Sequence, residues 1–91
     1  MAIGVYFPFP SMSAENYDEG VRRLEEAGQG APSGRLYHVA FEAGSGVHVF
    51  DVWDSQESFD AFGRTLMPIV NDLGVDAGEP QISQVHNIIQ G

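Results

Sequence analysis

The chain has 91 residues, 43% of them hydrophobic, with thirteen acidic side chains against four arginines and a net charge of −9. That charge works against nucleic acid or an anionic membrane as partner, because only Arg22, Arg23, Arg35 and Arg64 could meet a phosphate. The absence of cysteine excludes disulfides and thiolate metal sites and fits a cytoplasmic protein, and no apolar run approaches the roughly 18–20 residues of a membrane span.

In chain order, Ile3, Val5, Phe7 and Phe9 alternate with Ala2, Gly4, Tyr6 and Pro8, which predicts a first strand ended by Pro8 and Pro10. With no basic residues ahead of it, MAIGVYFPFP reads as a strand and not a signal peptide. Ser13 suits the N-cap of a helix from about Ala14 to Ala27, with Tyr17, Val21 and Leu24 on one stripe and Gly28 as its stop. Residues 28–34 connect it to two β-rich runs, 35–43 and 47–53, divided by the hairpin turn Gly44-Ser45-Gly46. Asp54 and Glu57 then form a capping box for a second helix over about Ser55 to Leu73, carrying Phe59, Phe62, Leu66, Ile69 and Val70 at helical spacing. Pro68 predicts a bend or break near Leu66-Met67. After a loop, Gln81 to Ile89 is expected to close the chain as a fourth strand.

The order strand–helix–strand–strand–helix–strand is the ferredoxin-like βαββαβ arrangement: an α+β fold whose four-stranded antiparallel sheet has two helices on one face and leaves the other open. Residues 1–91 make a single domain, and so short a chain buries a modest core, a limit that dimerisation relieves.

The element order, the run Val-Phe-Asp-Val-Trp-Asp-Ser-Gln-Glu-Ser-Phe (49–59), the spacing to Phe62, Leu66 and Pro68, and the closing Val-His-Asn (85–87) resemble the dimeric α+β barrel superfamily. Within it, the chain is similar over its whole length to the small stand-alone proteins of the antibiotic-biosynthesis-monooxygenase-like group. The resemblance implies a homodimer in which two open sheet faces meet. It also implies a ligand held either between sheet and helices or in the barrel interior. Members include cofactor-free oxygenases, isomerases, haem-degrading enzymes and proteins of no assigned activity. The haem-degrading branch uses an Asn on the first strand with a Trp and a His on the second helix. Here Tyr6 and Phe62 stand near those places, and no histidine occurs from Val49 to Gln84, so haem degradation is disfavoured.

The hairpin register decides which residues share a face. A two-residue loop at Gly44-Ser45 sets Ala40 opposite Val49, His38 opposite Asp51 and Leu36 opposite Trp53; a three-residue loop would separate His38 from Asp51. The first register divides polar from apolar cleanly. It puts Tyr37, Val39, Phe41, Phe50 and Val52 toward the helices, and His38, Asp51 and Trp53 with Tyr6 and His86 on the open face. A carboxylate beside an imidazole fixes its tautomer, so His38 with Asp51 is the candidate base. Tyr6 and His86 are candidates to hold a phenolic oxygen or carbonyl, and Trp53 to stack on an aromatic substrate. Structural readings stand beside these: a cross-strand His–Asp pair, a core-anchoring Trp53, and a merely solvated His48. His38, His48 and His86 lack metal-ligand spacing, and no cofactor is expected.

Two functions follow. One is a cofactor-independent monooxygenase or isomerase acting on a small aromatic or polyketide-like molecule; the other is a non-catalytic dimeric ligand-binding or accessory protein.

Overall fold

The computed structural model describes all 91 residues. Its elements are β1 (Ile3–Phe7), α1 (Ala14–Glu26), β2 (Arg35–Glu42), β3 (Val47–Trp53), α2 (Gln56–Asp72) and β4 (Gln81–Gln84). The strands form one antiparallel sheet in the order β2-β3-β1-β4, so the fold is the ferredoxin-like α+β arrangement. No helix is long and apolar enough to cross a membrane.

The hairpin turn has two residues. The Ala43 N–H donates to the Gly46 carbonyl at 2.9 Å, and Gly44 adopts φ 84°, the positive value that the first central position of a type II′ turn requires. His38 therefore stands opposite Asp51 and Ala40 opposite Val49. Farther from the turn the ladder departs from the simple register. A bulge between Arg35 and Tyr37 absorbs one residue, so Arg35 and not Leu36 pairs with Trp53.

On β2 and β3 the assignment of faces is the reverse of the sequence expectation, whereas on β1 Tyr6 faces the open side as expected. Directly paired residues of antiparallel strands point to the same side, and Val5 pairs with Asp51 while Ile3 pairs with Trp53. Those β3 residues thus share the inward face of β1, where Ile3, Val5, Phe7, Val49 and Trp53 form the core with Phe59, Phe62 and Val70 of α2. Tyr37, Val39, Phe41, Phe50 and Val52 occupy the open face instead.

Helix boundaries follow local chemistry with one shift at α2. Ser13 caps α1 by accepting from the Asn16 N–H at 3.0 Å, as expected. At α2 the cap is Ser55, which accepts from the Ser58 N–H at 3.1 Å, and not Asp54. The Asp54 carboxylate accepts from the Ser55 hydroxyl at 3.2 Å instead of from a helix N–H, while the Asp54 N–H donates to the Gly34 carbonyl at 2.8 Å. The α2 assignment runs through Pro68 without a break. Proline removes only one helical hydrogen bond, and Phe59, Phe62 and Val70 are buried on either side of it. β4 is four residues long where nine were predicted. Gln84 already faces Ile3 at the start of β1, so after the Val85 N–H bonds the Ala2 carbonyl at 3.0 Å there is no strand left to pair with.

Candidate active site

Asp51 and Trp53 are two apart on β3 and project to the same side, with His38 of β2 directly across from Asp51. Asp51 is 2% exposed and Trp53 fully buried. A carboxylate so deep needs donors on both oxygens. One oxygen accepts from the Trp53 indole Nε1–H at 3.3 Å, and the other lies 2.5 Å from His38 Nδ1. On the far side of the imidazole, Nε2 is 2.7 Å from the Tyr17 hydroxyl of α1. With Asp51 ionised, Nδ1 carries the proton and Nε2 is left as the acceptor for the Tyr17 O–H. The result is a directed chain from Tyr17 through His38 to Asp51, whose other oxygen accepts from Trp53.

Burial pushes the Tyr17 phenol above its ordinary value of 10.0; nearby Arg35 acts in the opposite sense, while Asp51 and Asp18 add to the rise. Tyr17 is accordingly a neutral donor at physiological pH. Phe59 and Phe62 pack on the Trp53 ring at centroid distances of 5.8 and 5.1 Å, which holds the indole under the carboxylate.

This chain borders a cavity of about 140 Å³ between the sheet and both helices. Its walls are mostly apolar, including Phe7, Val49, Phe62, Leu66 and Val70, and its polar groups are Asn16, Tyr17, Arg35, His38 and Asp51. The volume is about that of an apolar cavity known to admit one benzene ring.

Of the residues singled out in the sequence, His38, Asp51 and Trp53 come together, and Tyr6 and His86 do not join them. Tyr6 is on the other side of the sheet, its hydroxyl 2.6 Å from His48 Nδ1. His48 is therefore tied to Tyr6 and half-buried, where the sequence suggested only solvent. His86 lies beyond β4 in the exposed C-terminal tail, beside a broad open-face depression that also takes in Tyr6, Tyr37 and Phe50. The combined constellation on the open face does not form, because β1 places Asp51 and Tyr6 on opposite sides. Two site residues were missed. Tyr17 was legible as part of the apolar stripe of α1, and a tyrosine facing inward needs a partner for its hydroxyl. Arg35 gave no signal, since only the bulge turns it toward the cavity.

The chain matches no protein-family profile and no curated protein sequence. Among solved structures it resembles a protein of Chloroflexus aurantiacus J-10-fl provisionally named an antibiotic biosynthesis monooxygenase, at TM-score 0.70 and 17% identity over 99% of this chain and 98% of that one. The chain shares the fold of that protein. A similarly named protein of Caulobacter crescentus CB15 matches at TM-score 0.66 and 18% identity, covering 97% and 91% of the two chains. SnoaB of Streptomyces nogalater, a cofactor-independent oxygenase, matches at TM-score 0.61 and 13% identity, covering 99% and 96%. At these identities the likeness is one of fold, and the chemistry has to be argued from the side chains.

Proposed function

We propose that the protein is a cofactor-independent enzyme that removes a proton from a small aromatic molecule, leading to oxygenation or isomerisation, with His38 as base, Asp51 as its orienting partner and Tyr17 as the group between base and substrate. The observation that carries this reading is the Tyr17–His38–Asp51 chain ending in an apolar cavity of one-ring size. A substrate hydroxyl bonded to the Tyr17 oxygen would pass its proton there as Tyr17 passes its own to His38 Nε2. The imidazolium then rests against Asp51, and no tyrosinate has to exist in the buried site. Return of the proton to carbon gives isomerisation. Transfer of the anion's electrons to dioxygen converts an activated CH2 to C=O, with the second oxygen atom leaving as water. Trp53, fully buried beneath Asp51, acts here as support for the carboxylate and not as a stacking surface. The fold of SnoaB lends this reading support, as a solved oxygenase that needs no cofactor.

The same reading includes a homodimer formed through the open sheet face. Leu36 and Tyr37 are each 58% exposed there and Phe41 42%, a patch of apolar surface of the kind that pairs in solution.

One observation favours a non-catalytic ligand-binding alternative: no buried side-chain nitrogen or oxygen lacks a partner, so the His38 network is complete without a substrate. The experiment that separates the two exposes the protein to one-ring phenols and enolisable cyclic ketones, following oxygen uptake and deuterium incorporation at carbon in D2O. Turnover that falls about 10²–10⁴-fold in His38→Ala is expected. Probes that bind but show neither oxygen uptake nor exchange above buffer would overturn the enzymatic reading in favour of the binding one.

A further inference from the structure

The bulge at the start of β2 decides what the cavity can recognise. In an unbroken strand Leu36 would share a face with His38, and Arg35 would point to the open side. The extra residue between Arg35 and Tyr37 reverses this. Arg35 pairs with Trp53 and lines the cavity with His38 and Asp51, while Leu36 is turned out and is 58% exposed. Bulges beside functional sites commonly re-aim a side chain in this way. The position is held from several sides. The guanidinium donates to the Gly30 carbonyl at 3.1 Å and lies 6.0 Å from the centre of the Phe62 ring. Just before it, Gly34 has φ 91° and sits so close to α2 that an added Cβ would come within 2.5 Å of Ser58.

A guanidinium beside an apolar cavity calls for an anion. The two arginines of α1 have theirs: Arg22 pairs with Glu19 and Glu26, and Arg23 with Glu19 and Asp72. Arg35 makes no ion pair, and Asp51, the one carboxylate lining the cavity, has both oxygens engaged by His38 and Trp53. Most of the Arg35 N–H donors are therefore free, in a fork suited to two carboxylate oxygens. Its charge is also felt at the site, where it opposes the effect of burial on Tyr17.

We propose that Arg35 anchors the substrate, and that the molecule admitted is a single-ring hydroxylated aromatic bearing a carboxylate. The carboxylate meets Arg35, the ring lies among Phe7, Phe62 and Leu66, and the hydroxyl reaches Tyr17. A monoanion fits better than a phosphate dianion, because the chain carries a net charge of −9 and the cavity holds little more than one ring. The assignment rests on the proton-transfer reading of Tyr17 and His38 and adds the substrate class to it.

The test measures binding of the three hydroxybenzoate isomers and of phenol by calorimetry, to the unaltered protein, Arg35→Gln and Arg35→Lys. The best hydroxybenzoate should bind at least about tenfold more tightly than phenol, and Arg35→Gln should abolish that preference while phenol still binds. Arg35→Lys should retain part of it. In the unaltered protein the Arg35 Nε–H resonance should shift with the hydroxybenzoate and not with phenol, a readout that does not depend on a variant folding. Equal binding of phenol and hydroxybenzoates to the unaltered protein, or a preference that survives Arg35→Gln, overturns the proposal and leaves the aromatic proton-transfer site standing. Failure of every probe to bind overturns both.

Discussion

The two faces of the sheet use similar residue types in opposite ways. On the helix-covered face a buried acid, an imidazole and a phenol form one directed chain, and each polar atom is answered by another side chain of the same molecule. On the open face an imidazole and a phenol also meet, as His48 and Tyr6, but no carboxylate joins them, and exposed apolar groups such as Leu36, Tyr37 and Phe41 lie on the same face. Position beside a mostly apolar cavity, and not the presence of a histidine and a tyrosine as such, distinguishes a candidate catalytic pair from a surface contact. The acid makes the difference physically: it fixes which imidazole nitrogen holds the proton and stabilises the charge that proton transfer creates.

The largest expected difference between the faces is in stability. Trp53→Ala removes a fully buried ring packed on Phe59 and Phe62, and also a donor to Asp51, so unfolding free energy should fall by about 3–5 kcal/mol in denaturant titrations. Tyr37→Ala on the open face should cost the monomer far less. A Trp53→Ala protein as stable as its parent would break the distinction between a packed inner face and an outer face.

Association should respond in the opposite pattern. The parent protein is expected to sediment as a dimer at micromolar concentration, and the double change Leu36→Glu with Tyr37→Glu should yield a folded monomer by setting like charges against each other across the two-fold axis. A parent protein that sediments as a monomer would remove the case for the open face as an interface.

The smallest effect is a pH dependence confined to the inner face. In the unfolded chain Tyr17 ionises near 10.0, whereas burial keeps it protonated to higher pH in the fold. Above that unfolded value the unfolded state has lost a proton that the native state still holds, so stability falls as pH rises. Tyr17→Phe should flatten this alkaline slope in thermal unfolding measured from pH 9 upward. Identical slopes in the two proteins would mean that Tyr17 is not held as a partly buried phenol.

Much of the fold was legible in the sequence because it depends on local rules. The alternation in residues 3–9, the Ser13 cap, the Gly44-Ser45 turn and the 3.6-residue spacing of Phe59, Phe62, Leu66 and Val70 each involve neighbours in the chain. The His38–Asp51 pairing was legible for the same reason, since turn length sets register. Where local rules met competition they misled. Asp54 is a good capping residue whose carboxylate accepts from the Ser55 hydroxyl instead, and β4 ended early because β1 offered it no further partner.

By itself the sequence determined the order of elements, the hairpin register and the two sets of side chains that alternate along β2 and β3. Only the tertiary structure decided which set faces the helices. Both sets carry enough apolar surface to pass for an inner face, and the more apolar one was expected inside. Pairing with β1 settles the choice, because antiparallel partners share a side and Val5 lies against Asp51. That long-range contact carries His38 under α1 to meet Tyr17. The bulge beside it, which also depends on how β2 lies against β3, brings Arg35 into the same cavity.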